Sequence, residues 1–256
     1  MYIEINDVSI EYKEKKRLQT VIDHVNFGVE KGEFICLLGP SGCGKSTLLN
    51  AMAGFLKPSD GKILIDGKEV LEPSLSYVTI FQNYGLLPWK TVLKNVELGL
   101  ETKKIPKKER KEIALKYIEM VGLKDAVNKR PNQLSGGMQQ RVAIARALAV
   151  DPEVIFMDEP FGALDAITRM KLQDDILEIN QETGKTVIFV THDIEEAVFL
   201  ADRIVVLDAN PGRIGGIVNI NMPKHRNRTS DEFVLARDKV YDLLKMKKED
   251  VVEYYI

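Results

Sequence analysis

Phe34-Ile35-Cys36-Leu37-Leu38-Gly39-Pro40-Ser41-Gly42-Cys43-Gly44-Lys45-Ser46 passes from an unbroken apolar run into a glycine-rich turn. The residues after Gly44, KSTLLNAMAG, carry a helical pattern. A continuous apolar run suits a strand buried on both faces. Residues 39–46 fit G-x-x-x-x-G-K-[ST], and a strand before and a helix after are the context in which that spacing makes a phosphate-binding loop. Successive backbone N–H groups there can curl around a phosphate, and the helix N-terminus adds its dipole. Lys45 can reach the β- and γ-phosphates, and the Ser46 hydroxyl is a Mg²⁺ ligand. Gly39, Pro40, Ser41, Gly42, Cys43, Gly44 and Thr47 complete this candidate nucleotide-binding set, in which Cys43 works through its backbone.

Further apolar runs lie at residues 154–157 (VIFM), 187–190 (VIFV) and 204–207 (IVVL), and each is a candidate for a doubly buried parallel strand. Residues 2–5 and 62–66 (KILID) alternate instead, as in a half-exposed antiparallel sheet. Helical patterns cover residues 107–121, with Gly122 as a C-terminal stop, and residues 136–150. Strands alternating with helices predict an α/β domain with a mostly parallel sheet, joined by an N-terminal antiparallel β subdomain. Residues 83–150 lack buried-strand runs and read as an inserted helical subdomain. The expected division is therefore a core of 1–82 with 151–216, the helical insert 83–150, and a C-terminal appendage at 217–256. The charge-dense stretch ETKKIPKKERKE at 101–112 reads as a solvated loop and first helical turn.

Composition narrows the function. Hydrophobic residues make up 45% and charged residues 29% of 256, which excludes a disordered or fibrous chain. Thirty-six basic against 38 acidic residues give a net charge of −2, so no nucleic-acid partner is expected. Cys36 and Cys43 are too few for a disulfide framework, and no Cys/His cluster has zinc spacing. No signal peptide is visible and no apolar stretch approaches about 18 residues, so a soluble intracellular chain is expected.

Two more segments carry chemistry. Val154-Ile155-Phe156-Met157-Asp158-Glu159-Pro160 is a strand that delivers carboxylates to the carboxyl edge of a sheet, where open α/β folds bind ligands. Alone this is weak, because acids often end strands; with a phosphate loop upstream, Asp158 reads as a Mg²⁺ holder and Glu159 as the base acting on water. In Leu134-Ser135-Gly136-Gly137-Met138-Gln139-Gln140-Arg141, Ser135 is a good N-cap, and Gly136 and Gly137 leave N–H groups uncovered. That describes either a second anion site or an ordinary capped helix.

This last segment resembles the signature motif of the ABC ATPases, and the resemblance extends from residue 1 to about residue 216. It implies a P-loop NTPase core binding ATP and Mg²⁺ in a head-to-tail dimer. In such a dimer Ser135, Gly136 and Gly137 of one copy close over the nucleotide of the other, as a two-fold interface allows. Gln82 resembles the Q-loop glutamine, which touches Mg²⁺ and the attacking water. Asp165 resembles the D-loop aspartate, His192 the switch histidine that senses the γ-phosphate, and Tyr12 the aromatic that stacks on adenine. Gly162 replaces the commoner Ser, with little expected consequence.

Leu86-Leu87-Pro88-Trp89 and the segment 207–214 are similar to the ATPases of nitrate, sulfonate and taurine importers. The resemblance implies an ATPase peripheral to the cytoplasmic face of the membrane, driving a permease that Leu86, Leu87 and Trp89 contact. Solute selectivity then lies in the permease and a solute-binding protein. Trp89 has a second reading, as a half-buried packing residue. One rival function is a soluble ABC ATPase acting on nucleic acid, the ribosome or a cofactor scaffold; a second is a non-hydrolysing nucleotide-binding regulator, against which an intact Glu159 and His192 speak.

Overall fold

The computed structural model describes residues 1–14, 17–162 and 164–244. In chain order the first elements are β1 (Ile3–Glu14), β2 (Arg17–Val29), β3 (Phe34–Leu38), α1 (Lys45–Met52), β4 (Asp60–Ile65), β5 (Lys68–Glu69) and β6 (Tyr77–Ile80). There follow α2 (Val92–Val96), α3 (Leu98–Thr102), α4 (Lys107–Met120), α5 (Gly136–Ala149), β7 (Val154–Asp158) and α6 (Ala166–Thr183). The chain closes with β8 (Thr186–Thr191), α7 (Ile194–Leu200), β9 (Arg203–Leu207), β10 (Ile214–Asn219) and α8 (Asp231–Leu243). Among the described residues no helix is long and apolar enough to cross a membrane.

Two compact units result: Met1–Glu72 with Ile188–Ile256, and Pro73–Val187. The first contains an antiparallel sheet in the order β2-β1-β4-β5. Its alternation is the one the sequence shows: Ile3 and Ile5 are buried while Glu4 between them is not. Opposite Ile3 and Ile5 stand Ile65 and Ile63 of β4, so the apolar sets of both strands share one face. In the same unit β3 runs parallel to β9, with Ile35 opposite Arg203 and Leu38 opposite Val206, and β10 runs antiparallel to β9. Every residue of β3 is buried. Burying each such Leu, Ile or Phe contributes about 1.5–3 kcal/mol, so this run cannot be moved to a surface without a large loss.

The C-terminal segment is tied in. Buried Arg226 donates to the carbonyls of Val198, Phe199 and Ala201, at the end of α7, and α8 buries Phe233 and Val240. A cation at a helix C-terminus satisfies carbonyls that have no partner inside the helix.

In the second unit β6 runs parallel to β7, Tyr77 opposite Val154 and Ile80 opposite Met157. Helix α5 packs against β6, α2, α3, α4 and α6. It starts where the sequence places it: Ser135 is the N-cap, and its hydroxyl accepts from Met138 N at 3.3 Å. Gly122, at φ +70°, follows the last turn of α4. The charged stretch at 101–112 is largely exposed, as its charge requires. β8 carries the chain from the second unit back to the first.

Candidate nucleotide-binding site

The first unit holds the loop between β3 and α1. Its shape is fixed by side chains that are absent. A Cβ on Gly39 would sit 2.5 Å from the Leu207 carbonyl oxygen and 2.8 Å from Cys43 Sγ. Gly44 stands at φ +96° as the N-cap of α1, and a Cβ there would lie 2.6 Å from Ile22 Cδ1. Left-handed backbone in a crowded position is what glycine alone tolerates. Lys45 is buried, its Nζ donating to the carbonyls of Gly39 at 2.7 Å and Pro40 at 3.0 Å. Ser41, Gly42 and Ser46 are exposed, so the loop presents its backbone and the Ser46 hydroxyl outward. Burial raises the Cys43 thiol above its ordinary value, more than nearby Lys45 lowers it, which leaves the thiol protonated.

The sequence reading missed what braces this loop. Gly212 N donates to Val21 O, and a Cβ on Gly212 would lie 2.2 Å from the Cys43 carbonyl oxygen. His192 is exposed at the end of β8. Its neighbours are held: the Thr191 hydroxyl donates to buried Glu196 at 2.7 Å and accepts from Asp193 N at 3.0 Å, and Asp193 caps α7. Glu196 had no motif to announce it. Tyr12 lies on β1, paired with Gln19 of β2, and is 43% exposed.

The second unit holds the carboxylates. Asp158 ends β7 and Glu159 follows at φ +42°; both are half-buried. Gly162 N closes a turn onto Glu159 O at 3.3 Å. A Cβ on Gly162 would lie 3.3 Å from Gln82 Nε2, so the Gln82 amide stands beside this turn. A side chain at 162 would have to be met by a small shift of the Gln82 amide, a coupling that sequence alone did not show. Asp165 caps α6, accepting from Thr168 N at 3.0 Å, and this bond holds its carboxyl below the usual carboxylate range. Gly136 and Gly137 meet the same region. Cβ atoms there would lie 3.2 Å from Leu164 Cδ2 and 2.5 Å from Thr168 Cγ2. Gly137 is buried, so its missing side chain serves close helix packing in addition to any exposure of N–H groups.

Beyond the exposed Gln82 lies an apolar ledge. Leu86 and Leu87 are half-buried and Trp89 is 67% exposed, which counts against the packing reading of Trp89. The ledge is held by Asn95, fully buried. Its Oδ1 accepts from Leu87 N at 2.8 Å, and its Nδ2 donates to the carbonyls of Leu87, Lys90 and Thr91 at 3.0–3.2 Å.

A glycine-walled loop opening a helix, a carboxylate pair ending a buried strand and a serine-capped helix starting Gly-Gly occur together in one chain, and residues 22–162 match the ABC transporter family. The chain belongs to the ABC transporter family of ATP-binding proteins. Among curated relatives of this ABC ATPase is the bicarbonate transport ATP-binding protein CmpD of Synechocystis sp., 48% identical over 230 residues, 89% of this chain and 82% of the relative. The nitrate import ATP-binding protein NrtD of Synechococcus elongatus is 49% identical over 210 residues, 81% of this chain and 77% of NrtD. Both fit the resemblance read from Leu86-Leu87-Pro88-Trp89. Among solved structures, a dimeric ATP-binding cassette in a post-hydrolysis state, bound to ADP and Pi, superposes with a TM-score of 0.77 at 36% identity. It covers 86% of this chain and all of its own. The α/β fold of this ABC ATPase, with one antiparallel and one mostly parallel sheet, is the expected one. The chain binds ATP and hydrolyses it.

Proposed function

We propose that this chain is the ATP-hydrolysing subunit of an importer that moves a small solute through a membrane permease. Relatives named for nitrate import and bicarbonate transport support a small oxyanion as that solute. The observation that carries the reading is the joining, in one short segment, of the Gln82 turn to an exposed apolar ledge ending in Trp89. A loop of this kind ordinarily stays polar, and aromatic anchors often dominate an interface. The proposed functional division remains a core of 1–82 with 151–216, an insert of 83–150 and an appendage of 217–256.

Each residue has a task in this reading. Backbone N–H groups of 39–46 and the Lys45 ammonium hold the phosphates. Ser46 and Asp158, with Gln82, offer hard oxygen donors; Mg²⁺ takes few protein ligands when phosphate oxygens and waters supply the rest. Held by these residues, the ion would supply positive charge against that developing on the phosphates. Glu159 takes the proton from the attacking water, and His192 senses the γ-phosphate. Tyr12 stacks on adenine. Ser135, Gly136, Gly137 and Asp165 act on the nucleotide of a second copy, and the resulting dimer sits at the cytoplasmic face of the membrane.

Glu159→Gln tests the catalytic part. It keeps the shape but cannot accept the proton, so hydrolysis should stop while ATP binding survives, and light scattering should show a stable dimer with ATP. Turnover at the wild-type rate would remove Glu159 from the mechanism. Trp89→Ala tests the coupling part. Permease binding should fall by about 2 kcal/mol or more, with the melting temperature of the free subunit unchanged. Normal uptake of nitrate and bicarbonate by the reconstituted complex would overturn the docking role.

A further inference from the structure

Arg146 lies in α5, three turns beyond the Ser135 cap, and its side chain does not join the carboxylate chemistry. Its Nη1 donates to Gly85 O at 2.6 Å and its Nη2 to Tyr84 O at 2.7 Å. Both accepting residues are left-handed, Tyr84 at φ +60° and Gly85 at φ +56°. For tyrosine that conformation is uncommon and must be held by its surroundings. A planar guanidinium can take two adjacent carbonyls in one fork, and an ammonium cannot reproduce that geometry. Burial disfavours the charged form of Arg146, and among the described residues no carboxylate pairs with it. The carbonyl pair is its compensation.

The turn that this fork closes contains Gln82. Tyr84 N donates to Phe81 O at 2.9 Å, which places Gln82 and Asn83 at the corner of a β-turn, both exposed. Gly85 N donates back to Asn83 O at 2.7 Å. The Tyr84 side chain is buried, and among the described residues its hydroxyl has no hydrogen-bond partner. That hydroxyl lies 3.5 Å from where a Cβ of Gly136 would stand. Tyr84 thus meets α5 at two places, by its carbonyl at Arg146 and by its hydroxyl beside the Gly-Gly start of the helix. Those points on α5 are about 15 Å apart along its axis.

We propose that Arg146 is a positioning residue that locks the Gln82 turn to the helix bearing the signature, so that the two move as one body. The inference rests on the reading of Gln82 as the residue that meets the attacking water. Released from Arg146, the turn loses its left-handed closure and the glutamine its place. A misplacement of about 1 Å is enough to cost a reaction as much as 100-fold.

The test is steady-state ATP hydrolysis by the full chain in wild type, Arg146→Met, Arg146→Lys, Gln82→Ala and the Arg146→Met/Gln82→Ala double variant, with hydrogen exchange on each. Arg146→Met should lower kcat about tenfold or more while KM for ATP stays within about twofold. Arg146→Lys should recover only part of that loss. The double variant should be no slower than Gln82→Ala, because both act at one point. Amide exchange should quicken at residues 82–87 with α5 unchanged. A wild-type kcat for Arg146→Met, or for Arg146→Lys should the methionine variant fail to fold, beside an impaired Gln82→Ala overturns the proposal. So do losses that multiply in the double variant, or exchange that rises evenly through the second unit. A wild-type rate for Gln82→Ala refutes the reading of Gln82 instead, and the exchange at 82–87 then decides whether Arg146 locks the turn.

Discussion

The loop at 39–46 and the loop at 81–91 are both polypeptide turns leaving a strand, and they are held by opposite means. The first is shaped chiefly by the absence of side chains, with Gly39 facing the Leu207 carbonyl and Gly44 facing Ile22, and its one side-chain donor, Lys45, comes from within the loop itself. The second is shaped by donors that reach in from helices. Arg146 takes two carbonyls from 61 and 62 residues away, and Asn95 fills the inside of the ledge. A loop held by its own sterics keeps its form wherever its neighbours stay packed. A loop held by a few hydrogen bonds can be released by a single substitution at a distance.

Three substitutions press on that contrast. Lys45→Ala should weaken binding of a fluorescent ATP analogue by about 100-fold, on the order of 3 kcal/mol for a lost charge-assisted contact. The glycine turn should survive, with any quickening of hydrogen exchange confined to the neighbourhood of Gly39 and Pro40, whose carbonyls lose the Nζ donor. An unaltered dissociation constant would break the phosphate-loop assignment itself. Asn95→Ala strips Leu87, Lys90 and Thr91 of a shared partner, which should cost about 2 kcal/mol and lower the melting temperature. ATP affinity should hold. If Leu87 keeps its amide protection in this variant, the ledge is not hung on Asn95. Gly162→Ser is the mildest. Its Cβ would press on the Gln82 amide at 3.3 Å, and a side-chain end can give by a few tenths of an ångström. The expected cost is below about 1 kcal/mol, less than about fivefold in kcat. A loss equal to that of Gln82→Ala would show an amide with no room to yield.

The same contrast explains what the sequence discloses. The phosphate loop and β3, β7, β8 and β9 are legible because their information is contiguous: glycines at fixed spacing, or apolar residues with no interruption. Ser135 is legible as a cap for the same reason. β2 is not legible in the sequence, although Ile22, Val25 and Val29 are buried, because His24 stands at φ +49° and the register against β1 shifts around it. A bulge of this kind breaks the two-residue alternation by which a strand is read. α6 is equally hard to read. Over its length it buries few apolar side chains, chiefly Leu172, Ile176 and Leu177, while Ile167 and Met170 stay exposed, so no clean stripe marks it. Arg146 and Asn95 read as ordinary helix residues until the carbonyls they serve are seen, and no local pattern specifies carbonyls so far along the chain.

The four hydrogen bonds of Asn95 to the ledge also bear on the thermodynamics of recruitment. Restricting one residue's backbone costs about 1–2 kcal/mol in conformational entropy. Around Leu87, Lys90 and Thr91 that cost was met when the chain folded, so in the proposed docking at Trp89 a permease would encounter a surface already ordered. Association then spends less of its gross energy on ordering, and a small apolar contact can give a usable affinity.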